Sequence, residues 1–222
     1  TPPNTPYQQP MPKLKPNTKE LSASEQEEAR LIRASRIAYK TNFDDAQAYI
    51  DSHGENGWKI DRELSTKEGL VIRRGEEGRI SYRGTSWENM NDVVTNAATI
   101  AGVEQHAPQI KAGRQQILDY EVKYGRLPNK FLGYSKGGAQ AVHFGDEFKV
   151  PTTTFNSLIG RKQIMSQSEV PHTIIRTVED VPSTGLLLGP GKSNYTVKTI
   201  DPVFGDGNPK SVHDLRQFTG DN

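Results

Sequence analysis

Between residues 22 and 40 the apolar positions Leu31, Ile32, Ala34, Ile37, Ala38 and Tyr39 fall on one helical stripe. Ahead of them, Ser22-Ala23-Ser24-Glu25 has the spacing of a capping box, so a helix is predicted from there to about Lys40. A second, short helix is expected over about Asp44 to Ser52, stopped at His53-Gly54. After Trp58-Lys59-Ile60 the pattern changes. The runs Gly69–Arg74 and Gly78–Arg83 flank the turn Gly75-Glu76-Glu77-Gly78, which predicts a hairpin. Trp87 to Ala101 and Ala107 to Tyr124 read as helices, with Pro108 tolerated in a first turn.

Further along, a short strand from Asn129 to Leu132 leads to a serine, Ser135, flanked by Gly133 and Gly137, and then to a helix reaching about Glu147. Pro151–Phe155 and Thr173–Val178 are β-branched and predict strands, and Tyr195–Ile200 predicts another, antiparallel and near an edge. Strands separated by helices imply an α/β architecture: a mostly parallel sheet with helices on both faces. Upstream of all this, Pro2, Pro3, Pro6, Pro10, Pro12 and Pro16 accompany almost nothing apolar. Proline at that density blocks helix and sheet, so residues 1–20 are expected to form an extended proline-rich arm, a tail or a tether to a protein partner. Residues 21–222 are expected to form the folded domain.

Composition narrows the function. A chain of 222 residues suits one domain with an appendage. Its 28 basic and 27 acidic residues leave a net charge of +1, which gives no electrostatic argument for nucleic acid. Without cysteine there is no disulfide, thiol nucleophile or cysteine-based zinc site. No apolar run approaches the length of a membrane-spanning helix, and no signal-peptide core is visible. The first residue is Thr1, as expected of a processed or excised segment. Location stays open in the sequence, with a secreted or particle-associated protein expected ahead of a cytoplasmic one.

The stretch Gly133-Tyr134-Ser135-Lys136-Gly137 is a G-x-S-x-G pattern, the nucleophile elbow. An elbow holds its serine on a strained strand-to-helix turn, where neighbouring segments approach too closely for side chains at the flanking glycines. The hydroxyl needs a base, and the base needs an orienting carboxylate. In α/β-hydrolases these follow the serine in the order acid, then histidine. Only His143, His172 and His213 lie downstream of Ser135. His143 is eight residues along the elbow helix, about 12 Å of rise away. His172 precedes its strand and falls at the wrong end if that strand runs parallel to the elbow strand. His213 is left as the candidate base. Asp180, directly after the Thr173–Val178 strand, is the candidate acid; Glu179, Asp201 and Asp206 are weaker candidates. Oxyanion donors are expected from the backbone N–H of Lys136 and from Thr85, which follows Tyr82-Arg83-Gly84.

Four blocks in this order resemble the class 3 lipase family of α/β-hydrolases, which includes triacylglycerol lipases and phospholipases A1. Ile80-Ser-Tyr-Arg-Gly-Thr85, with Trp87 and Asp92 after it, resembles the family's "isFRGT" oxyanion strand. Gly133–Gly138 resembles its "GHSxGG" elbow, Thr154-Phe-Asn-Ser157 its "TFGsP" strand end, and Asp180-Val-Pro182 its acid motif, with His213 as the late histidine. The resemblance covers about Arg62 to Phe218. It implies Ser135 as nucleophile, Asp180 as acid, His213 as base, and Thr85 with Lys136 as oxyanion donors, with no metal or organic cofactor. It also implies a lid after the oxyanion strand, where Trp87, Met90, Val93 and Val94 are candidate lipid-facing residues; core packing explains those positions equally well. The chain departs from the family at Tyr134, where histidine is usual, at Lys136, where leucine is commoner, and at Asn156, where glycine is usual. It is also shorter than typical secreted members between Asp180 and His213.

The expected function is therefore hydrolysis of a lipid ester at a membrane or lipid surface, by a phospholipase A1 or glycerolipid lipase acting through an acyl-enzyme. Two rivals remain open. One is a small-ester esterase, thioesterase or transacylase on the same triad. The other is a non-catalytic subunit, for instance of a virion or secreted particle, built on a retired hydrolase fold.

Overall fold

A computed structural model describes residues 21–54, 57–84, 107–157, 169–177, 195–201 and 214–219. The expected arm over residues 1–20 and the expected helix over Trp87–Ala101 lie outside them.

Helix α1 (Ala23–Lys40) starts at the capping box. Ser22 Oγ accepts the Glu25 N–H at 3.1 Å, and Glu25 Oε1 accepts the Ser22 N–H at 2.9 Å, so two of the helix's orphan donors are satisfied. Helix α2 (Phe43–Ser52) opens on Asn42, whose Oδ1 accepts the Asp45 N–H at 2.7 Å. With asparagine as its N-cap, this helix begins one position earlier than predicted.

Among the described residues, seven strands form one sheet in chain order: β1 (Lys59–Ile60), β2 (Gly69–Arg74), β3 (Glu77–Tyr82), β4 (Lys130–Tyr134), β5 (Thr152–Phe155), β6 (His172–Thr177) and β7 (Tyr195–Ile200). β1, β2 and β3 are antiparallel neighbours, whereas β3 through β7 run parallel. The hairpin is tighter than predicted. Arg74 pairs with Glu77, leaving a two-residue turn at Gly75-Glu76, with Gly75 at φ 57°. Helix α3 (Ala107–Tyr124) precedes β4, α4 (Lys136–Phe148) follows it, and the short α5 (Arg216–Thr219) ends the described chain.

β7 corrects the expectation of an antiparallel strand: it lies at the edge, as predicted, but runs parallel to β6, with His172 opposite Tyr195 and Thr177 opposite Ile200. Its half-polar pattern reports only that an edge is partly open to water, which says nothing about direction. Direction follows from the connection, and the 178–194 segment is longer than the dozen residues that a parallel crossover requires.

Alternation along the strands sorts the core into two layers. Leu70, Ile72, Leu132, Phe155, Ile175 and Ile200 face α1, α2 and the Leu215–Phe218 stretch. Val71, Ile80, Tyr82 and Phe131 face the opposite way, against Ile117 and Tyr120 of α3 and Ala141 and Phe144 of α4. Each such aliphatic or aromatic side chain contributes roughly 1.5–3 kcal/mol by leaving water. Phe155 and Phe218, with ring centroids 5.0 Å apart, anchor α5 to the centre of the sheet. The parallel half of the sheet therefore has helices on both faces, and the carboxyl ends of β3, β4, β5 and β6 lie along one edge.

Candidate functional site

β4 is buried along its last four positions and ends at Tyr134. Ser135 then turns the chain with φ 55° and ψ −123°, and α4 begins at Lys136. For a residue with a Cβ this is a sparsely populated conformation, costing on the order of 1–3 kcal/mol. Ser135 is the N-cap of α4 yet makes no capping bond with its side chain, although serine is among the best capping residues. The hydroxyl is therefore not bonded to the first turn of its own helix. Two backbone bonds hold it: the Ser135 N–H donates to Phe155 O at 3.2 Å, and the Gly138 N–H donates to Ser135 O at 3.0 Å. Ser135 is fully buried, whereas the Lys136 side chain is exposed. The Lys136 N–H belongs to a first helical turn, whose donors have no partner within the helix.

The glycines around the serine are there for close approach. A Cβ on Gly133 would lie 2.3 Å from Gly137 O, and one on Gly137 would lie 2.4 Å from Tyr82 O and 2.8 Å from Gly84 N. Gly84, at φ 82°, would place a Cβ 2.0 Å from Tyr134 O. The chain leaving β3 thus crosses directly against the elbow, backbone on backbone. Gly84 is the last described residue before Thr85.

At the neighbouring strand ends, Asn156 has φ 43° and is fully buried. Its N–H donates to Ile175 O at 2.8 Å, and its Oδ1 accepts the Thr177 N–H at 2.9 Å. Asparagine tolerates the left-handed conformation better than other residues with a Cβ. Asn156 therefore holds a left-handed turn and adds a side-chain tie to the end of β6, at Thr177, three residues before Asp180 in the sequence.

Of the other histidines, His172 is fully buried at the start of β6. Its Nδ1 lies 2.6 Å from Thr152 Oγ1 and its Nε2 2.7 Å from Asp146 Oδ1. It is level with Phe131 across the sheet, at the amino ends of the strands, roughly 13 Å along the strand direction from Ser135. His143 is half-buried on α4, its ring edge-on to Phe144 and its Nε2 3.8 Å from Glu147 Oε2. Thr85, Trp87, Met90, Val93, Val94, Asp180 and His213 lie outside the described residues, as do the weaker acid candidates Glu179 and Asp206; Asp201 is exposed just after β7.

Sequence reasoning missed Arg36. It lies on the α1 face that also carries Arg33 and Lys40, at spacings of three and four, and nothing in that pattern says where the face docks. Arg36 Nη1 donates to Arg83 O at 3.2 Å, two residues before Thr85. Its guanidinium carbon lies 4.9 Å from the centre of the Tyr134 ring, one residue before Ser135. It also feels the carboxylate of Asp214, one residue after His213. Burial pushes its pKa down, Tyr134 and Asp214 pull it up, and Arg83 and Arg33 press it down further. Arginine nonetheless remains charged. Asp214, itself buried, accepts from Arg216 through Nη2 at 2.9 Å and through the Arg216 N–H at 2.8 Å. That pairing raises the Arg216 pKa.

No known protein-family profile matches the chain, and no curated protein matches it in sequence. Among solved structures, the crystal structure of a lipase from Rhizopus microsporus var. chinensis aligns with 76% of this chain and 72% of its own, at a TM-score of 0.52 and 14% identity. At that identity the likeness is one of fold. Together with the seven-stranded, mostly parallel sheet and the strand–serine–helix turn at its centre, it establishes a lipase-like α/β-hydrolase fold for this chain.

Proposed function

We propose that residues 21–222 form a class 3 lipase-like domain that hydrolyses lipid esters through an acyl-enzyme on Ser135. The observation that carries this reading is the buried, positive-φ serine between β4 and α4, held in a strained turn that forgoes helix capping. Ser135 Oγ attacks the ester carbonyl carbon while His213 takes the hydroxyl proton and Asp180 orients the imidazole. The carbonyl electron pair moves to the oxygen, which rests on the N–H groups of Lys136 and Thr85. Collapse breaks the bond to the leaving alcohol, which collects the proton from His213. Water then attacks the acyl-enzyme by the same steps and releases the fatty acid. Support for Thr85 comes from Gly84, whose backbone abuts Tyr134 and Gly137. Support for Asp180 comes from Thr177, tied by Asn156 at the same sheet edge as Ser135.

The test is covalent labelling by a fluorophosphonate, followed by a chain-length series of p-nitrophenyl esters beside phospholipid vesicles. The reading requires labelling of the wild type, loss of labelling in Ser135→Ala, and turnover that rises with long acyl chains. Turnover confined to short soluble esters returns the small-ester rival. Identical, unlabelled behaviour of the wild type and Ser135→Ala returns the non-catalytic one.

A further inference from the structure

Gly84 fits against the elbow because it has no side chain, and that same lack leaves its backbone the freest of any residue type. An N–H that is to meet a developing oxyanion has to be held within about 0.5 Å and 10–20° of its working geometry. Two guanidinium groups remove the freedom. Arg36 Nη1 donates to Arg83 O at 3.2 Å, and Arg83 Nη1 donates to Gly84 O at 2.9 Å. Two successive carbonyls beside the elbow are therefore each held by an arginine. Arg83 is itself fixed. Its Nε donates to Lys67 O at 3.0 Å and its Nη2 to Glu68 Oε1 at 3.3 Å, and its guanidinium carbon lies 3.6 Å from the centre of the Tyr39 ring. The side chain is only 13% exposed. A lysine, with no planar fork, could not hold these three acceptors at once.

The direction of that bond gives it a function. β3 has β2 on one side and β4 on the other. Lys67 and Glu68 lead into Gly69, which pairs with Tyr82, so the Arg83 guanidinium lies on the β2 side and Gly84 O faces it there. Tyr134 O and Gly137, on either side of Ser135, crowd Gly84 from the β4 side. In a planar trans peptide unit the C=O and the following N–H point in opposite directions, so a bond that fixes one fixes the other. We propose that Arg83 is a positioning residue for the oxyanion hole. By holding Gly84 O toward β2, it turns the N–H of the same peptide unit toward Ser135; that N–H is the donor assigned above to Thr85. A charged partner on the carbonyl also polarises the unit and strengthens its N–H as a donor. The inference rests on the hydrolase reading above and adds to it a residue that touches neither substrate nor nucleophile.

The test compares the best p-nitrophenyl ester of the chain-length series above with its thiono analogue, in which sulfur replaces the carbonyl oxygen. Sulfur is larger and a weaker acceptor, so the ratio of the two turnover rates reports how well the oxyanion donors are aimed. Both rates come from one enzyme sample, so the ratio does not depend on how much of that sample is folded. The variants are Arg83→Met, which keeps a stem against Tyr39 and loses every donor, and Arg83→Lys, which keeps the charge without the fork. In both, kcat for the oxygen ester is expected to fall about tenfold to a hundredfold with KM unchanged, and the oxygen-to-sulfur ratio to fall about tenfold. A fall in kcat with an unchanged ratio would make Arg83 a structural residue only and overturns the inference. Variants that keep both kcat and the ratio, or that change KM alone, overturn it as well. Wild-type protein that turns over no ester of the series removes the hydrolase reading and this role together. An active wild type whose variants keep the ratio removes only the role.

Discussion

Asn156 Oδ1 accepts the backbone N–H of Thr177 at 2.9 Å, tying the end of β5 to the end of β6 in a fully buried contact. A single side chain thereby fixes the last described residue of β6, three positions before Asp180 in the sequence. In the same residue, φ 43° turns the chain away from the sheet. Conformation and hydrogen bond can be separated by substitution. Asn156→Gly keeps the first and loses the second, whereas Asn156→Ala loses both. Leaving the buried Thr177 N–H without its acceptor costs about 1–3 kcal/mol. Asn156→Ala is expected to lie about another 1 kcal/mol below Asn156→Gly in urea unfolding, and equal midpoints for the two variants would remove the conformational half of the argument.

Gly137 has no room for a methyl group, because the nearest atoms are backbone rather than side chain. With Tyr82 O at 2.4 Å from a Cβ there, Gly137→Ala has to separate β3 from the elbow. A loss of about 4 kcal/mol or more is expected, in the range reserved for named structural faults. Soluble yield and the thermal midpoint report it, and a variant that melts with the wild type would contradict the close crossing.

Ser135 holds strain that a glycine would release. Ser135→Gly is therefore expected to be more stable than Ser135→Ala by about 1 kcal/mol, since alanine keeps the Cβ penalty at φ 55°. Both variants are expected to lose ester turnover by about a thousandfold or more. Paired melting curves and ester assays measure the two quantities. Higher stability with lower activity is the signature of a site held under tension for its chemistry.

Asp61 gives the fold a pH dependence. Burial raises its carboxyl pKa, but bonds from Lys123 Nζ at 2.8 Å, from the Tyr124 hydroxyl and from the Leu64 N–H at 3.0 Å outweigh that, so the net shift is downward. A carboxylate lowered in the folded state stabilises the fold at pH values above its ordinary range. That contribution is lost as pH falls through the folded value. Asp61→Asn is expected to be less stable than the wild type at pH 7, with the gap narrowing toward pH 3. Urea midpoints at the two pH values check this, and a constant gap would contradict it.

Much of the fold could be read locally. The capping box at Ser22 and Glu25, the hairpin around Gly75 and the strand–serine–helix run at Ser135 each depend on residues within a few positions of one another. β7 could not be read in this way. Its polar, edge-like pattern is the same for either direction, and only the length and course of the connection from β6 decide. Asn156 stood out as a departure from glycine, but its partner Thr177 is 21 residues away and carries no mark of the pairing. Arg36 was harder still, being one cation among several on a helix whose docking depends on contacts from three distant segments.

The order of residues along the chain was enough to specify the alternation of strands and helices and the serine at their centre, because periodicity, capping and turn chemistry act between near neighbours. Tertiary structure alone decided that Gly84, Tyr134 and Asn156 meet at one sheet edge, and that Arg36 of α1 docks on the Tyr134 ring. Such meetings depend on the parallel register of β3 to β6 and on the packing of α1 across it. Those are properties of the whole closed chain, and no local stretch encodes them.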